Sequence, residues 1–300
     1  MKYIIDTDPG IDDAIAIMLA VKSGLNILGI TTVSGNTTIE STTRNAQYVL
    51  GLLNSNDIPI YSGSERPLNR ELVKAVVHGK SGLEGLDPSN NVALSENAVD
   101  KILSMIRENN DVTIIALGPL TNIARAIIKE PDTIRMVKEI IVMGGAIKVA
   151  GNKSRVAEYN FFVDPEAADI VLRFPVRKTL VPLDACNEVT LLLDDFKKIK
   201  GSLQEPILMM INHYIKNISS DEGINSAPMY DPLTVYYAIN PSACTIKEYD
   251  ILVETKGVLT RGMTVADFRN KPDRVNPIDV VIHINSDKFR SDLIHYLSKT

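Results

Sequence analysis

The sequence predicts an α/β fold: an open, mostly parallel sheet flanked by helices, with a Rossmann-like core in a single domain. Apolar runs alternate with amphipathic stretches along the chain, and most of the runs end in small or polar residues. Most runs are continuous rather than alternating, which is typical of strands that helices cover on both faces. The chain has 300 residues, 45% of them hydrophobic, so it can bury one substantial core and we expect one domain over residues 1–300.

The predicted elements follow in chain order. The first strand, Tyr3–Asp6, leads into a helix whose residues Ile11, Ile15, Met18 and Leu19 have the spacing of one buried face. The next predicted strands are Leu28–Val33, Val112–Leu117, Ile140–Met143 and Thr179–Pro182. Part of the helical spacing recurs after the strand Val112–Leu117, at Ile123, Ile127 and Ile128. The last elements are strands near Ile251–Glu254 and Val280–Ile284 and a helix from about Lys288 to Leu297.

Two polar, glycine-containing segments are predicted to be loops. Asn217–Met229, with the sequence NISSDEGINSAPM, is predicted as a surface loop or flap, and His78–Asn91 has a similar composition. His213 and Tyr214 directly precede the first loop, where they could turn toward a ligand.

Charge and cysteine content limit the class of protein. The net charge is −5 without a long basic run, which argues against a nucleic-acid partner because phosphates require a Lys/Arg stripe. Cys186 and Cys244 form no metal-binding spacing, as expected of small core residues in a reducing compartment. The chain lacks the features of a signal peptide and any run of roughly 18 apolar residues that could span a membrane. We therefore expect a cytoplasmic protein without a membrane partner.

Four aspartates lie within eight residues in the stretch DTDPGIDD. Asp6 and Asp8 are two apart on an extended segment and should point the same way, while Asp12 and Asp13 lie in the first turn of the following helix. Converging carboxylates repel one another, so they need a cation or raised pKa values. The helix dipole contributes only roughly 0.3–1 kcal/mol per charge. A bound divalent metal explains the cluster better than capping of the helix by Asp12 and Asp13.

The surrounding residues favour a hard cation, Ca²⁺ or Mg²⁺. No His or Cys lies close to the aspartates in sequence, so oxygen ligands dominate and zinc is disfavoured. Ligands of open α/β sheets bind beyond the carboxyl ends of the strands, where Asp231 and a backbone carbonyl of the Leu117 turn could supply further oxygens. The loops after the strands carry carboxylates, amides and glycines, but no Ser–His or Cys–His nucleophile pair.

A series of motifs covers nearly the whole chain: DTDPGIDDAIAI, ITTVSGNTTIESTTRNAQ, LGPLTNIA, VMGGA, GNKSRVAEYNFFVDPEAA and GMTVADFRN. Together they resemble the nucleoside hydrolase family of the inosine-uridine-preferring type. The resemblance implies a nucleoside hydrolase-like open α/β fold and a tightly bound Ca²⁺. It also implies hydrolysis of the N-glycosidic bond of a small-molecule ribonucleoside to ribose and free base, by a homo-oligomer that is a dimer or tetramer.

The resemblance also implies roles for individual residues. Asp8 resembles both a metal ligand and the general base that takes a proton from the attacking water. The other residues that resemble metal ligands are Asp13, Asp231 and, through its carbonyl, Leu117. Asp231 is also expected to contact substrate, and the residues resembling the ribose-binding shell are Asp12, Asn36, Asn152, Glu158 and Asn160, with Met143 packed against the sugar. His78, in VVHGKSG, matches a loop histidine near the family's active site.

Tyr230 is the main departure from the family pattern. Many members have a histidine before the last metal-binding aspartate, proposed to protonate the leaving base, whereas this chain reads MYDP. The reference pKa of a phenol is about 10, so Tyr230 either donates to a strongly basic leaving group or only forms a wall of the base pocket. The missing histidine favours pyrimidine nucleosides weakly, because protonation of a ring nitrogen is less available to them.

Two other functions fit parts of the sequence. A phosphohydrolase of the haloacid dehalogenase kind is suggested by DTD after the first strand and by the acids within Leu192–Phe196. However, Pro9 and Gly10 follow where that class has Gly-Thr, and the later acids are typical of a helix start. The other alternative is a non-catalytic nucleoside- or ribose-binding protein that keeps the metal site, suggested by Tyr230. Nucleoside turnover would distinguish the enzyme from the binding protein, and phosphate release would identify the phosphohydrolase.

Overall fold

The computed structural model describes residues 1–88, 97–269 and 275–299. Within these residues, nine strands form one sheet and two more form a small ribbon. The strands are β1 (Lys2–Thr7), β2 (Ile27–Thr32), β3 (Ile60–Ser62), β4 (Val112–Ala116), β5 (Glu139–Met143), β6 (Lys178–Val181), β7 (Thr190–Leu191), β8 (Ala227–Pro228), β9 (Cys244–Val253), β10 (Thr264–Asp267) and β11 (Pro277–Ile284).

Helices flank the sheet on both faces. They are α1 (Ile11–Lys22), α2 (Ile39–Leu52), α3 (Ala98–Glu108), α4 (Thr121–Lys129), α5 (Pro131–Ile134), α6 (Tyr159–Val163), α7 (Pro165–Arg173), α8 (Leu183–Cys186), α9 (Leu193–Phe196), α10 (Gln204–Glu222), α11 (Tyr230–Ile239) and α12 (Ser286–Leu297), with a 3₁₀ turn at Pro241–Ala243. Among the described residues, no helix is both long and apolar enough to cross a bilayer.

The order of the strands places a ligand crevice at the end of β1. The sheet runs β10-β9-β11-β6-β5-β4-β1-β2-β3. Neighbours from β11 to β3 are parallel, whereas β9 runs antiparallel to both β10 and β11. The predicted open, mostly parallel sheet flanked by helices is therefore confirmed. The chain order reverses at β1, which lies between β2 and β4, and ligands of open α/β sheets bind at such a reversal.

The core has a layer of apolar residues on each face of the sheet. One layer surrounds α1, which contacts α2, α10, α11 and α12 and is buried from Ile11 to Ala20. A helix covered on all sides is apolar all round, and this explains why its sequence, IDDAIAIMLAVK, is so rich in Ile and Ala. Because α1 is buried, its first-turn aspartates are held rigidly below the end of β1.

The structure adds strands that the sequence did not predict. β3 is only three residues long and lies at one edge of the sheet, and β10 lies at the other edge. β9 begins at Cys244, seven residues before the predicted start at Ile251, and four of its first five residues are exposed. Edge strands and strands with an exposed half need no continuous apolar run, so they lack the signal used for prediction.

The predicted flap at Asn217–Met229 is wrong over its first half. α10 continues to Glu222 and ends at Gly223, whose φ of 74° suits the left-handed conformation common just after a helix. The buried residues Ile211, Tyr214 and Ile218 continue one face of this helix. The polar residues between 217 and 222 were mistaken for a loop. Residues 78–88 of the second predicted loop have no regular secondary structure, and its last residues, 89–91, lie outside the described residues.

Candidate active site

A pocket of about 620 Å³, counted out to open solvent, lies at the carboxyl edge of β1 and β4. Every predicted site residue except Asp13 lines it: Asp8, Asp12, Asn36, His78, Leu117, Met143, Asn152, Glu158, Asn160, Tyr230 and Asp231. These residues lie in strand ends, loops and helix starts that are far apart in sequence, and the parallel strands bring them to one edge of the sheet.

Three carboxylates form the centre of the acidic cluster. Asp12, Asp13 and Asp231 each offer one carboxylate oxygen, and these three oxygens lie within 4.8 Å of one another. Asp231 comes from the first turn of α11, and the other two from the first turn of α1. Asp8 lies just beyond β1 at the same edge and is 1% exposed. The cluster can hold a metal ion, as the sequence predicted.

Burial and mutual repulsion disfavour the charged forms of these acids. Loss of water, and then repulsion from Asp13, raise the pKa values of Asp8, Asp12 and Asp231 well above the usual range. His78 does not offset the charge, because burial lowers its pKa to about 4 and leaves it neutral at pH 7. A bound cation would relieve this repulsion directly, so the electrostatics of the cluster fit an ion.

Asp13 lies beneath the pocket in a fixed orientation. Its Oδ1 accepts a hydrogen bond from Thr7 Oγ1 at 2.5 Å. Its Oδ2 accepts from the Gly10 backbone N–H at 2.9 Å and from Asn36 Nδ2 at 3.0 Å. The end of β1, the turn before α1 and the loop after β2 therefore all position this carboxylate.

Two glycines enclose the carboxylate of Asp8. A Cβ at Gly35 would lie 2.0 Å from Asp8 Oδ2, and one at Gly118 would lie 2.4 Å from Asp8 Oδ1, both far inside contact distance. The Asn36 backbone N–H also donates to Asp8 Oδ2 at 2.7 Å. Glycine is thus required at both positions for close approach of the backbone to this carboxylate.

Asp6 does not join the cluster, contrary to the predicted convergence with Asp8. β1 ends at Thr7, so Asp8 leaves the strand while Asp6 stays in it. Asp6 Oδ1 accepts hydrogen bonds from Thr31 Oγ1 at 2.5 Å and from Asn122 Nδ2 at 2.8 Å. Asp6 is fully buried and links β1 to its neighbours, and it is not part of the pocket lining.

The opposite wall is built on α6. Glu158 caps this helix by accepting from the backbone N–H groups of Asn160 at 2.7 Å and Phe161 at 3.1 Å, and it also accepts from Gly145 at 3.1 Å. Burial raises the Glu158 pKa to about 7. Asn160 Nδ2 donates to the Leu117 carbonyl at 2.7 Å, which leaves that oxygen one further lone pair. The helix cap thereby orients the polar groups of this wall.

Aromatic side chains line the remaining side. The His78 and Tyr214 rings stack with centroids 5.3 Å apart and an interplanar angle of 17°. His78 Nδ1 accepts from the Ile11 backbone N–H at 3.1 Å, so the neutral ring carries its proton on Nε2, which lies 3.8 Å from Asp12 Oδ1. Tyr230 also lines the pocket. His213 does not, and it lies instead beside Gly85, because it is on another face of α10.

Sequence reasoning did not identify several lining residues: Ala75, Val76, Val77, Lys153, Tyr159 and Ile218. Four of them are apolar and carry no signal of acid–base or metal chemistry, whereas Lys153 and Tyr159 belong to types that can transfer a proton. Ala75–Val77 directly precede His78, and Tyr159 lies between Glu158 and Asn160, so adjacency to predicted residues was the available signal. Ile218 could be recognised only from the correct length of α10.

Comparisons with known proteins identify relatives with this architecture. A family model described as inosine-uridine preferring nucleoside hydrolase matches residues 3–291. The pyrimidine-specific ribonucleoside hydrolase RihA of Escherichia coli O1:K1 is 37% identical over 293 residues, which cover 93% of this chain and 94% of RihA. The structure of a plant nucleoside hydrolase, PpNRh1, matches with a TM-score of 0.93 and 30% identity, covering 100% of this chain and 99% of that one. A purine-preferring ribonucleoside hydrolase from Gardnerella vaginalis matches with a TM-score of 0.90 and 28% identity, covering 99% and 98%.

These similarities, together with the fold and the acidic pocket, define a hydrolase that acts on the N-glycosidic bond of ribonucleosides. The chain belongs to the inosine-uridine preferring nucleoside hydrolase family. The resemblance in its motifs is thus confirmed, and the phosphohydrolase alternative has no support. The acids Asp194 and Asp195 lie at the start of α9, where each forms a 2.7 Å ion pair, with Lys197 and Lys198 respectively.

Proposed function

We propose that this chain hydrolyses ribonucleosides to ribose and free base with the aid of Ca²⁺, and that Asp8 is the general base. The observation that carries the proposal is the burial of four aspartates beside a neutral histidine: Asp8, Asp12 and Asp231 line the pocket and Asp13 lies beneath it. The proposal treats residues 1–300 as one catalytic domain. It includes a cytoplasmic location and assembly as a dimer or tetramer.

The donor set fits a hard cation. Asp8, Asp13, Asp231 and the Leu117 carbonyl would hold it, and all four donors are oxygens, which Ca²⁺ prefers. When bound, the ion would lower the pKa of a water molecule and bind the ribose diol. Asp12 lies in the same cluster. We assign it to the ribose, because its Oδ1 faces His78 Nε2 inside the pocket.

Asp8 is positioned for proton abstraction. Gly35 and Gly118 restrict its carboxylate on both sides, and the Asn36 N–H holds one oxygen. A general base acts best when it is held within hydrogen-bond reach of the proton it takes. The rigid burial of α1 keeps the neighbouring aspartates at a constant distance from this base.

The ribose shell consists of acidic and amide groups, Asp12, Asn36, Asn152, Glu158 and Asn160, with Met143 against the sugar. Departure of the base leaves positive charge on the ribosyl carbon and ring oxygen, as in other glycoside hydrolyses. Fixed oxygen dipoles and carboxylates facing that charge stabilise the transition state more than the neutral substrate. Glu158 and Asn160 are well suited, because the cap of α6 fixes their orientation.

The residues expected to face the nucleobase, Tyr230 and His78, favour pyrimidine nucleosides weakly. Tyr230 stands where many family members have a histidine that is proposed to protonate the leaving base. His78 is neutral at pH 7. Both rings are weak acids, so they can donate hydrogen bonds to a departing base but protonate a purine ring poorly. Relatives of both kinds exist, one pyrimidine-specific and one purine-preferring.

Hydrolysis of a nucleoside panel tests this function. With inosine, adenosine, guanosine, uridine and cytidine in calcium buffer without phosphate, we expect free base and ribose in equal amounts. Because Tyr230 and His78 are weak acids, we expect kcat/KM for uridine or cytidine to exceed that for the purines by less than about 10-fold, the ratio that corresponds to about 1.4 kcal/mol. A higher kcat/KM for inosine would contradict the base preference alone. Saturable binding without release of base would favour the non-catalytic binding protein.

Removal of the metal should destabilise the protein, and more so at alkaline pH. The folded metal-free protein has raised carboxyl pKa values, so it binds more protons than the unfolded chain and its stability falls as pH rises above about 4. A ligand at 1,000 times its Kd stabilises by about 4 kcal/mol, or about 8 °C in Tm for a chain of this size. We expect chelation to lower Tm by about that amount at pH 8, and by less than half as much at pH 5.5. Equal Tm values with calcium and with chelator at both pH values would contradict the site.

A further inference from the structure

A segment without regular secondary structure, residues 73–78, forms part of the pocket wall, and we call it the strap. Ala75, Val76, Val77 and His78 of the strap line the pocket. Val76 is 65% exposed, and His78 is the buried end of the strap. A segment with so little buried surface must be held by specific contacts if it is to present one wall to a substrate.

Tyr159 binds the first part of the strap. Its hydroxyl donates to the Val73 carbonyl at 2.8 Å, and the Ala75 backbone hydrogen-bonds the same hydroxyl. Tyr159 is itself fixed, because it is the first residue of α6 and its backbone N–H donates to Asn152 Oδ1 at 2.9 Å. The ring lines the pocket while the hydroxyl reaches the strap backbone.

Asn217 binds the other end of the strap. Its Nδ2 donates to the Val77 carbonyl at 3.0 Å and to Glu84 Oε2 at 3.1 Å. Asn217 lies on α10, one helical turn beyond Tyr214, whose ring stacks on His78. The last part of the strap is thus tied to α10, and its first part to α6.

We propose that Tyr159 and Asn217 are positioning residues that hold the strap against the pocket and so set the affinity for substrate. The inference rests on the proposed function, because the pocket must bind a nucleoside. Held from both sides, the strap needs less ordering when substrate binds. The strap contains none of the acidic ligands, but it carries His78, which can donate a hydrogen bond to the departing base. Loss of either tie should therefore raise KM, with a smaller fall in kcat, because the strap holds His78 but not Asp8 or the metal-binding aspartates.

The test compares Tyr159→Phe, Asn217→Leu and the double variant with a matched control, Tyr236→Phe. Tyr236 also donates a hydroxyl hydrogen bond, to Asp292 at 2.6 Å, but it is not part of the pocket lining. For uridine we expect each single variant to raise KM about 5- to 10-fold, with a smaller fall in kcat. The double variant should raise KM by less than the product, because both ties act on one segment. The control should keep both constants.

The rate of amide hydrogen exchange at residues 74–78 measures how firmly the strap is held, and it does so without any catalytic turnover. We expect faster exchange there in Tyr159→Phe and Asn217→Leu, and no change in Tyr236→Phe. Unchanged KM and unchanged exchange in both variants would overturn the inference, as would a fall in kcat and Tm without a change in KM. If exchange rises as expected but the wild-type protein releases no base from any nucleoside, the ties are supported and the proposed function is overturned.

Discussion

Replacement of Asp8 by asparagine is expected to lower kcat for ribonucleoside hydrolysis at least about 10⁴-fold. Asparagine keeps the size of the side chain, which matters between Gly35 and Gly118, but it cannot take a proton and removes one negative charge from the cation site. Steady-state kinetics with uridine, together with a direct measurement of bound calcium, check this result.

The matched control for this variant is Asp250→Asn. Asp250 is also a buried carboxylate, and it accepts backbone hydrogen bonds from Val275 at 2.7 Å and Asn276 at 2.6 Å. It is not part of the pocket lining, so we expect about 1–3 kcal/mol of destabilisation with kcat nearly unchanged. An Asp8→Asn protein that binds calcium and retains near-normal kcat would contradict the role of Asp8 as general base.

The second large effect is expected from Gly35→Ala, which adds a single methyl group. The new Cβ would lie 2.0 Å from Asp8 Oδ2, so the carboxylate or the loop has to move by about 1 Å. A displacement of that size in a reacting group costs about 10²-fold in rate. We therefore expect kcat/KM to fall at least about 10²-fold, with a folded protein as judged by circular dichroism.

Gly51→Ala is the control for this variant. Gly51 lies in α2, and the nearest heavy atom to a Cβ there is 3.9 Å away. Alanine in a helix interior is favoured over glycine by roughly 0.5–1 kcal/mol, so the control should be equally or more stable and fully active. Wild-type kcat/KM in Gly35→Ala would show that the close approach at Asp8 has no part in catalysis.

The local part of the site could be predicted from the sequence. Asp8, Asp12 and Asp13 lie in one strand–turn–helix unit, so their convergence follows from the geometry of that unit alone. Asn36 and Leu117 follow strands that neighbour β1, and parallel strands place such residues at one edge. Even here the predicted convergence of Asp6 with Asp8 is wrong. The sequence does not show that β1 ends at Thr7, so it does not show that Asp8 lies outside the strand.

The long-range part of the site could not be predicted. Tyr159 contacts the strap across 86 residues of sequence and Asn217 across 140, and no periodicity encodes such pairs. The predicted flap failed for a related reason: the last residues of α10 are mostly polar, and a polar helix end resembles a loop in composition. The same holds for the exposed half of β9, since prediction from apolar runs finds only elements that are buried along their length.

The most direct test of the account is uridine hydrolysis by the calcium-loaded protein, compared with the same protein after chelation and after calcium is restored. The account predicts release of uracil and ribose in equal amounts in phosphate-free buffer. It also predicts loss of that release on chelation, and recovery with calcium. Uridine that is bound but never cleaved, or cleavage that continues undiminished at full chelation, would contradict it.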